Sequence, residues 1–93
     1  MKDTDFEWDE SKNLVNISKH GLSFDQAKEI FAYDHTIIPS IYSEEKRYIA
    51  IGKLQGIVFI AIIYTLRKGT IRIISARRAK KKEIELLNLS ATK

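Results

Sequence analysis

The sequence predicts an α+β domain in which two N-terminal helices precede a three- to four-stranded antiparallel sheet and a final helix closes the chain. Three observations carry this reading. Helix-capping residues punctuate the first third of the chain, β-branched and alternating segments broken by glycine turns fill the middle, and helical spacing returns at the end. At 93 residues the chain makes one domain, 1–93, with a single modest core.

The first helix is expected over 9–19. Asp9 is a suitable N-cap, Glu10 suits the positive helix start, and Lys19 and His20 suit its negative end. Gly21 fits the left-handed position that ends many helices. Ser23 and Gln26 form a capping box opening a second helix, and Phe24, Ala27, Ile30 and Phe31 follow at helical spacing. Residues 36–38 are β-branched and read as a short strand before Pro39, with His35 left in a loop. Arg47, Ile49 and Ile51 alternate with Tyr48 and Ala50, the period of a strand. Residues 52–56 read as a hairpin loop, 57–65 as a buried strand, Lys68-Gly69 as a turn and 70–76 as the last strand. The closing helix is expected over 79–89, with Ile84 and Leu87 facing inward.

Composition excludes several classes. With no cysteine there is neither a disulfide nor a thiolate metal site, and 44% apolar residues suit a globular fold. The longest apolar run, 57–66, has ten residues, whereas a spanning helix needs about 20. The acidic start (Asp3, Asp5, Glu7, Asp9, Glu10) has the wrong sign for a secretory signal, so a cytoplasmic location away from membranes is expected. No nucleotide-binding glycine loop or nucleophile elbow is present. His20 and His35 stand 15 residues apart without a carboxylate pair at helical spacing, so neither metal nor other cofactor is expected.

The net charge is +4, but its layout says more. Residues 67–82 carry eight basic side chains and no acid, a field suited to phosphates or to an acidic protein surface. The lesser alternative is a solvated basic helix end. Within this block, Arg72 points away from Ile71 and Ile73 on a strand, while Arg77 and Arg78 sit at the strand-to-helix junction. Guanidinium forks match phosphate oxygens, so the three make a candidate phosphate clamp. The alternative is that they pair with acids such as Glu45 or Glu83, or cap the sheet edge.

Four blocks then occur in order: Phe6-Glu7-Trp8-Asp9-Glu10-Ser11-Lys12, Lys19-His20-Gly21-Leu22-Ser23-Phe24, Arg47-Tyr48-Ile49-Ala50-Ile51-Gly52, and residues 72–78. Together they resemble the successive signatures of the BrnT toxin family from Phe6 to about Glu83. The resemblance implies a RelE-like fold and a ribonuclease that halts translation. It further implies neutralisation by a BrnA-type antitoxin bearing a ribbon-helix-helix DNA-binding part. Two toxins bridged by an antitoxin dimer, a heterotetramer, would touch operator DNA only through the antitoxin and repress their own operon. The chain departs from the family pattern at Tyr33-Asp34-His35, where aspartate-proline is common, at Lys80, where threonine is common, and at Leu87, where a tyrosine is often found.

Metal-free cleavage of RNA needs a proton acceptor for the 2′-hydroxyl, a cationic clamp and a proton donor for the leaving oxygen. Arg72 and Arg77 are the expected clamp, supported by Arg47 and Arg78, provided they gather around one phosphodiester. His20 is the acid/base candidate, because imidazole is the side chain suited to exchanging protons near neutrality, against a plain helix-end role. Lys19 and Lys81 are candidate RNA contacts. Glu45 either acts as base or simply pairs with Arg47, and Tyr64 either presents its hydroxyl or packs. Trp8 reads as a packing anchor rather than a base-stacking platform. A non-catalytic nucleic-acid-binding module and a partner-docking module are the alternatives to the enzyme.

Overall fold

A computed structural model describes residues 5–40 and 45–91, so the acidic start lies partly outside the described residues. The elements are β1 (Phe6–Trp8), α1 (Glu10–His20), α2 (Phe24–Ala27) continued by a 3-10 turn (Lys28–Ala32), β2 (His35–Ser40), β3 (Arg47–Leu54), β4 (Val58–Arg67), β5 (Thr70–Arg78) and α3 (Lys81–Ala91). The sheet has five strands in the order β1-β5-β4-β3-β2. Strands β2 to β5 form an antiparallel meander, and β1 adds in parallel to β5. The expected three- to four-stranded antiparallel sheet is therefore corrected to a mixed five-stranded one. Phe6–Trp8 is too short for its alternation to register in sequence; pairing with Ile71–Ile73 makes it a strand.

Both helix-start readings hold. The Asp9 side chain caps α1, Gly21 ends it at φ 66°, and the Ser23–Gln26 capping box is formed in both directions. The second helix tightens after one turn into the 3-10 segment, which seats Ile30 against the sheet. A Cβ on Gly52 would lie 2.9 Å from the Ile30 Cβ, so this close approach needs a glycine in β3. Accordingly Gly52 belongs to the strand, and the hairpin loop shrinks to residues 55–57. Lys68 and Gly69 both have positive φ, as a tight two-residue hairpin turn requires. His35 begins β2 rather than lying in a loop, and Pro39 is tolerated because β2 is an edge strand.

Strand alternation gives the sheet two apolar faces. One packs Ala50, Ile60, Ile62, Tyr64, Ile71, Ile73 and Ala76 against Phe24, Ala27 and Ile30. The other packs Ile51 and Ala61 against Leu87 of α3. Helices α2 and α3 thus pack on opposite faces of the sheet. Each fully buried isoleucine contributes about 1.5–3 kcal/mol. On α3, Leu87 is buried as expected and Ile84 only half so, because Glu83 takes the inward place beside it.

Candidate functional site

Strand β1 covers β5 only from Ile71 to Ile73. Beyond that point the outer edge of β5 would offer unpaired backbone groups, and α1 closes it. Asn16, buried on α1, donates from Nδ2 to the Ala76 carbonyl (2.8 Å) and accepts from the Ala76 N–H (3.1 Å). Its amide stands in for one residue of a sixth strand. The same Nδ2 donates to the Leu22 carbonyl, and the neighbouring Asn13 accepts the Phe24 N–H, so two asparagines lock α1 to the sheet and to the start of α2.

Alongside this seam runs a cleft of about 280 Å³, lined by Ser11, Lys12, Val15, Asn16, Lys19, His20, Ile74 and Ser75. A register shift between β4 and β5 makes room for it: Ile63 pairs with Ser75 and Tyr64 with Ile73, leaving Ile74 as an extra residue at the rim. Among the described residues three basic side chains line the cleft and no carboxylate does, so it suits an anion. Lys19 and His20 reach it from the exposed last turn of α1. Asp9, which starts that helix, accepts from the Ser11 hydroxyl (2.6 Å) and the Ser11 N–H (2.9 Å), which hold its carboxyl below the usual carboxylate range.

The arginines do not gather as expected. Arg72 stands opposite Glu7 on β1 and Thr65 on β4, and its Nη1 donates to Glu7 at 3.0 Å. Arg47 lies one register step beyond the Tyr48–Tyr64 pair, which places it across from Thr65 on the same face as Arg72. It meets Glu45 at a loose 3.5 Å. Arg77 is committed elsewhere: Nη1 and Nη2 each donate to Glu83 at 2.9 Å, and Glu83 also accepts the Lys80 N–H at 2.7 Å. The Arg77 bonds hold the Glu83 carboxyl below its ordinary range against the opposing effect of burial, and Glu83 raises Arg77 in turn. Four residues of strand, the extra Ile74 among them, lie between Arg72 and Arg77, a span of roughly 13 Å, and Arg78 is exposed beside Ile60 on the opposite face. Strand period and the Glu83 pair together undo a clamp of Arg72, Arg77 and Arg78. Of the alternative pairings only Arg77 with Glu83 is realised; Glu45 goes to Arg47, and Arg72 finds Glu7 instead.

The other candidates separate cleanly. Tyr64 is 4% exposed, packed between Tyr48 (5.5 Å) and Phe31 (5.4 Å), and burial, then Tyr48, pushes its phenol up. It is a core residue and presents no hydroxyl at a strand end. Lys81 is exposed at the start of α3, away from the cleft lining. Trp8 packs edge-on against Phe24 at 5.9 Å, as an anchor should. Sequence reasoning missed Lys12, Ser75, Asn16 and Glu7. The available signal was Asn13 and Asn16 at helical spacing among apolar neighbours, a pattern that puts polar groups inward. A second, larger cleft of about 660 Å³ near the β3–β4 hairpin is lined by Glu29, Asp34 and one lysine, Lys53, and does not suit phosphate.

Comparison with known proteins gives a consistent result. The family model described as "Ribonuclease toxin, BrnT, of type II toxin-antitoxin system" matches residues 8–83. The crystal structure of the Brucella abortus ribonuclease toxin BrnT superposes with a TM-score of 0.71 at 32% sequence identity, covering 85% of this chain and 100% of that one. No match is found among curated proteins.

Proposed function

The chain belongs to the BrnT family of ribonuclease toxins of type II toxin–antitoxin systems, and from that premise we propose a metal-independent endoribonuclease that inhibits translation in the cytoplasm. In this reading the fold is a variant of the RelE type, and a BrnA-like antitoxin with a ribbon-helix-helix part holds two toxin copies inactive in a heterotetramer. Operator DNA is reached only through that antitoxin.

The observation that carries the reading is the cleft at the edge of β5, where Lys12, Lys19 and His20 share the lining and no carboxylate joins them among the described residues. The RNA backbone lies along it. Proton transfer from the 2′-hydroxyl lets that oxygen bond to phosphorus, the bond to the 5′-oxygen breaks, and the departing oxygen takes a proton. His20 exchanges protons at this centre, and Lys12 and Lys19 hold the phosphate. Arg72 follows the cleft on β5, two residues before Ile74, and meets the charge that develops on phosphorus. Its pair with Glu7 is about one-third exposed and so is weak enough to open for a phosphate. Arg47 extends the cationic track across the sheet. Arg77 is a positioning residue, fastening α3 to β5 through Glu83.

The test uses protein freed of antitoxin, incubated with total RNA in EDTA. Cleavage is expected, with His20→Ala and Arg72→Ala each lowering the rate by roughly 10² to 10³ while the fold stays intact. RNA left whole by the wild-type protein, but bound in a salt-sensitive way, would leave only the non-catalytic binding module standing.

A further inference from the structure

Helix α1 is turned inside out. Its inward positions are the buried Asn13 and Asn16, while Leu14, Val15 and Ile17 are 59%, 57% and 39% exposed. Helical spacing sets Ser11 and Ser18, both exposed, between these apolar residues. The outward half of the helix is thus apolar or small from Ser11 to Ser18, about 11 Å, without a charge once past Glu10. On the flank towards β5 the surface turns basic through Lys12 and Lys19, and Val15 itself lines the cationic cleft.

We propose that this outward face of α1 is the docking surface for the antitoxin, and that the segment it receives is an amphipathic helix with an apolar stripe and an acidic border. Charge and continuity both argue for it. Exposed apolar faces mark interaction surfaces, and the flank that this one shares with the cleft is positive, so the partner's border on that side is negative. Because Val15 belongs to both surfaces, a helix seated on α1 brings its acidic side chains over Lys12, Lys19 and His20. Carboxylates there take the place of the RNA phosphates, so docking and inhibition are one event. The proposal rests on the functional reading above in placing the RNA at that cleft.

Leu14 and Ile17 lie outside the cleft lining, which separates docking from cleavage. The double variant Leu14→Glu/Ile17→Glu, with circular dichroism to confirm folding, is titrated by calorimetry with the purified product of the adjacent antitoxin gene. A loss of affinity on the order of 100-fold is expected, with RNA cleavage by the free variant unchanged. A second double variant, Leu14→Ala/Ile17→Ala, should lose affinity by a smaller factor and covers the case in which the glutamates unfold the helix. Unaltered antitoxin affinity in both variants overturns the proposal. So does a wild-type toxin dimer, seen in sedimentation, that the variants dissolve without affecting antitoxin binding. Should free wild-type protein fail to cut RNA while the variants still lose the antitoxin, the nuclease reading falls and the docking surface stands.

Discussion

Removing Arg77 should reveal it as a structural residue. Its guanidinium spans β5 and α3, with two 2.9 Å bonds to a Glu83 side chain that is only 9% exposed. Arg77→Ala leaves that carboxylate held by the Lys80 N–H. Breaking a buried ion pair from one side typically costs about 3–5 kcal/mol. Arg77 keeps 22% of its exposure, so water reaches the vacated place and screens part of the loss; the cost becomes about 2–3 kcal/mol. For a domain of this length that corresponds to a fall in Tm of roughly 10–20 °C. The assay is thermal unfolding followed by circular dichroism, paired with RNA cleavage below the variant's melting range. Arg77→Met with Glu83→Leu replaces the pair by apolar side chains of similar reach and should recover most of the stability. That double variant should cut RNA within a few-fold of the wild-type rate. Two results refute the reasoning: Arg77→Ala melting within about 2 °C of wild type, or a stable double variant slowed by roughly 10² or more.

Three further outcomes follow from the same structure. Asn16→Leu strips partners from both the Ala76 N–H and carbonyl, so urea denaturation should show a loss of about 2–4 kcal/mol; less than about 1 kcal/mol would show that the edge is sealed by something else. Gly52→Ala drives a methyl against Ile30, and the same measurement should give about 1–3 kcal/mol of destabilisation. Because the folded state lowers the Glu83 pKa, its contribution is complete above the unfolded glutamate value of about 4.3 and drains away as pH falls through the lowered folded value. Wild type should therefore melt above Glu83→Gln at neutral pH, and the gap between them should close below about pH 4; a gap constant with pH would contradict the assignment.

Local signals were read correctly wherever a few neighbouring residues suffice. The Asp9 cap, the Gly21 stop, the Ser23–Gln26 box and the Lys68-Gly69 turn all depend on side chains within one turn of the backbone they serve. The antiparallel meander was equally legible, because alternation and glycine turns are written in order along the chain. The four signature blocks likewise identified the family without coordinates. The site was legible only in part: Lys19 and His20 do line a basic cleft, whereas Arg77 and Tyr64 went to pairing and packing.

What remained waited on contacts between distant segments. Glu7 meets Arg72 only once three residues of β1 find β5, 65 positions away. The choice between phosphate and Glu83 for Arg77 turned on how α3 packs behind the strand, which no local pattern encodes. Caps and turns are short-range hydrogen-bond problems that sequence solves in place. The partner of a long charged side chain is settled by which surfaces the whole fold brings within its reach.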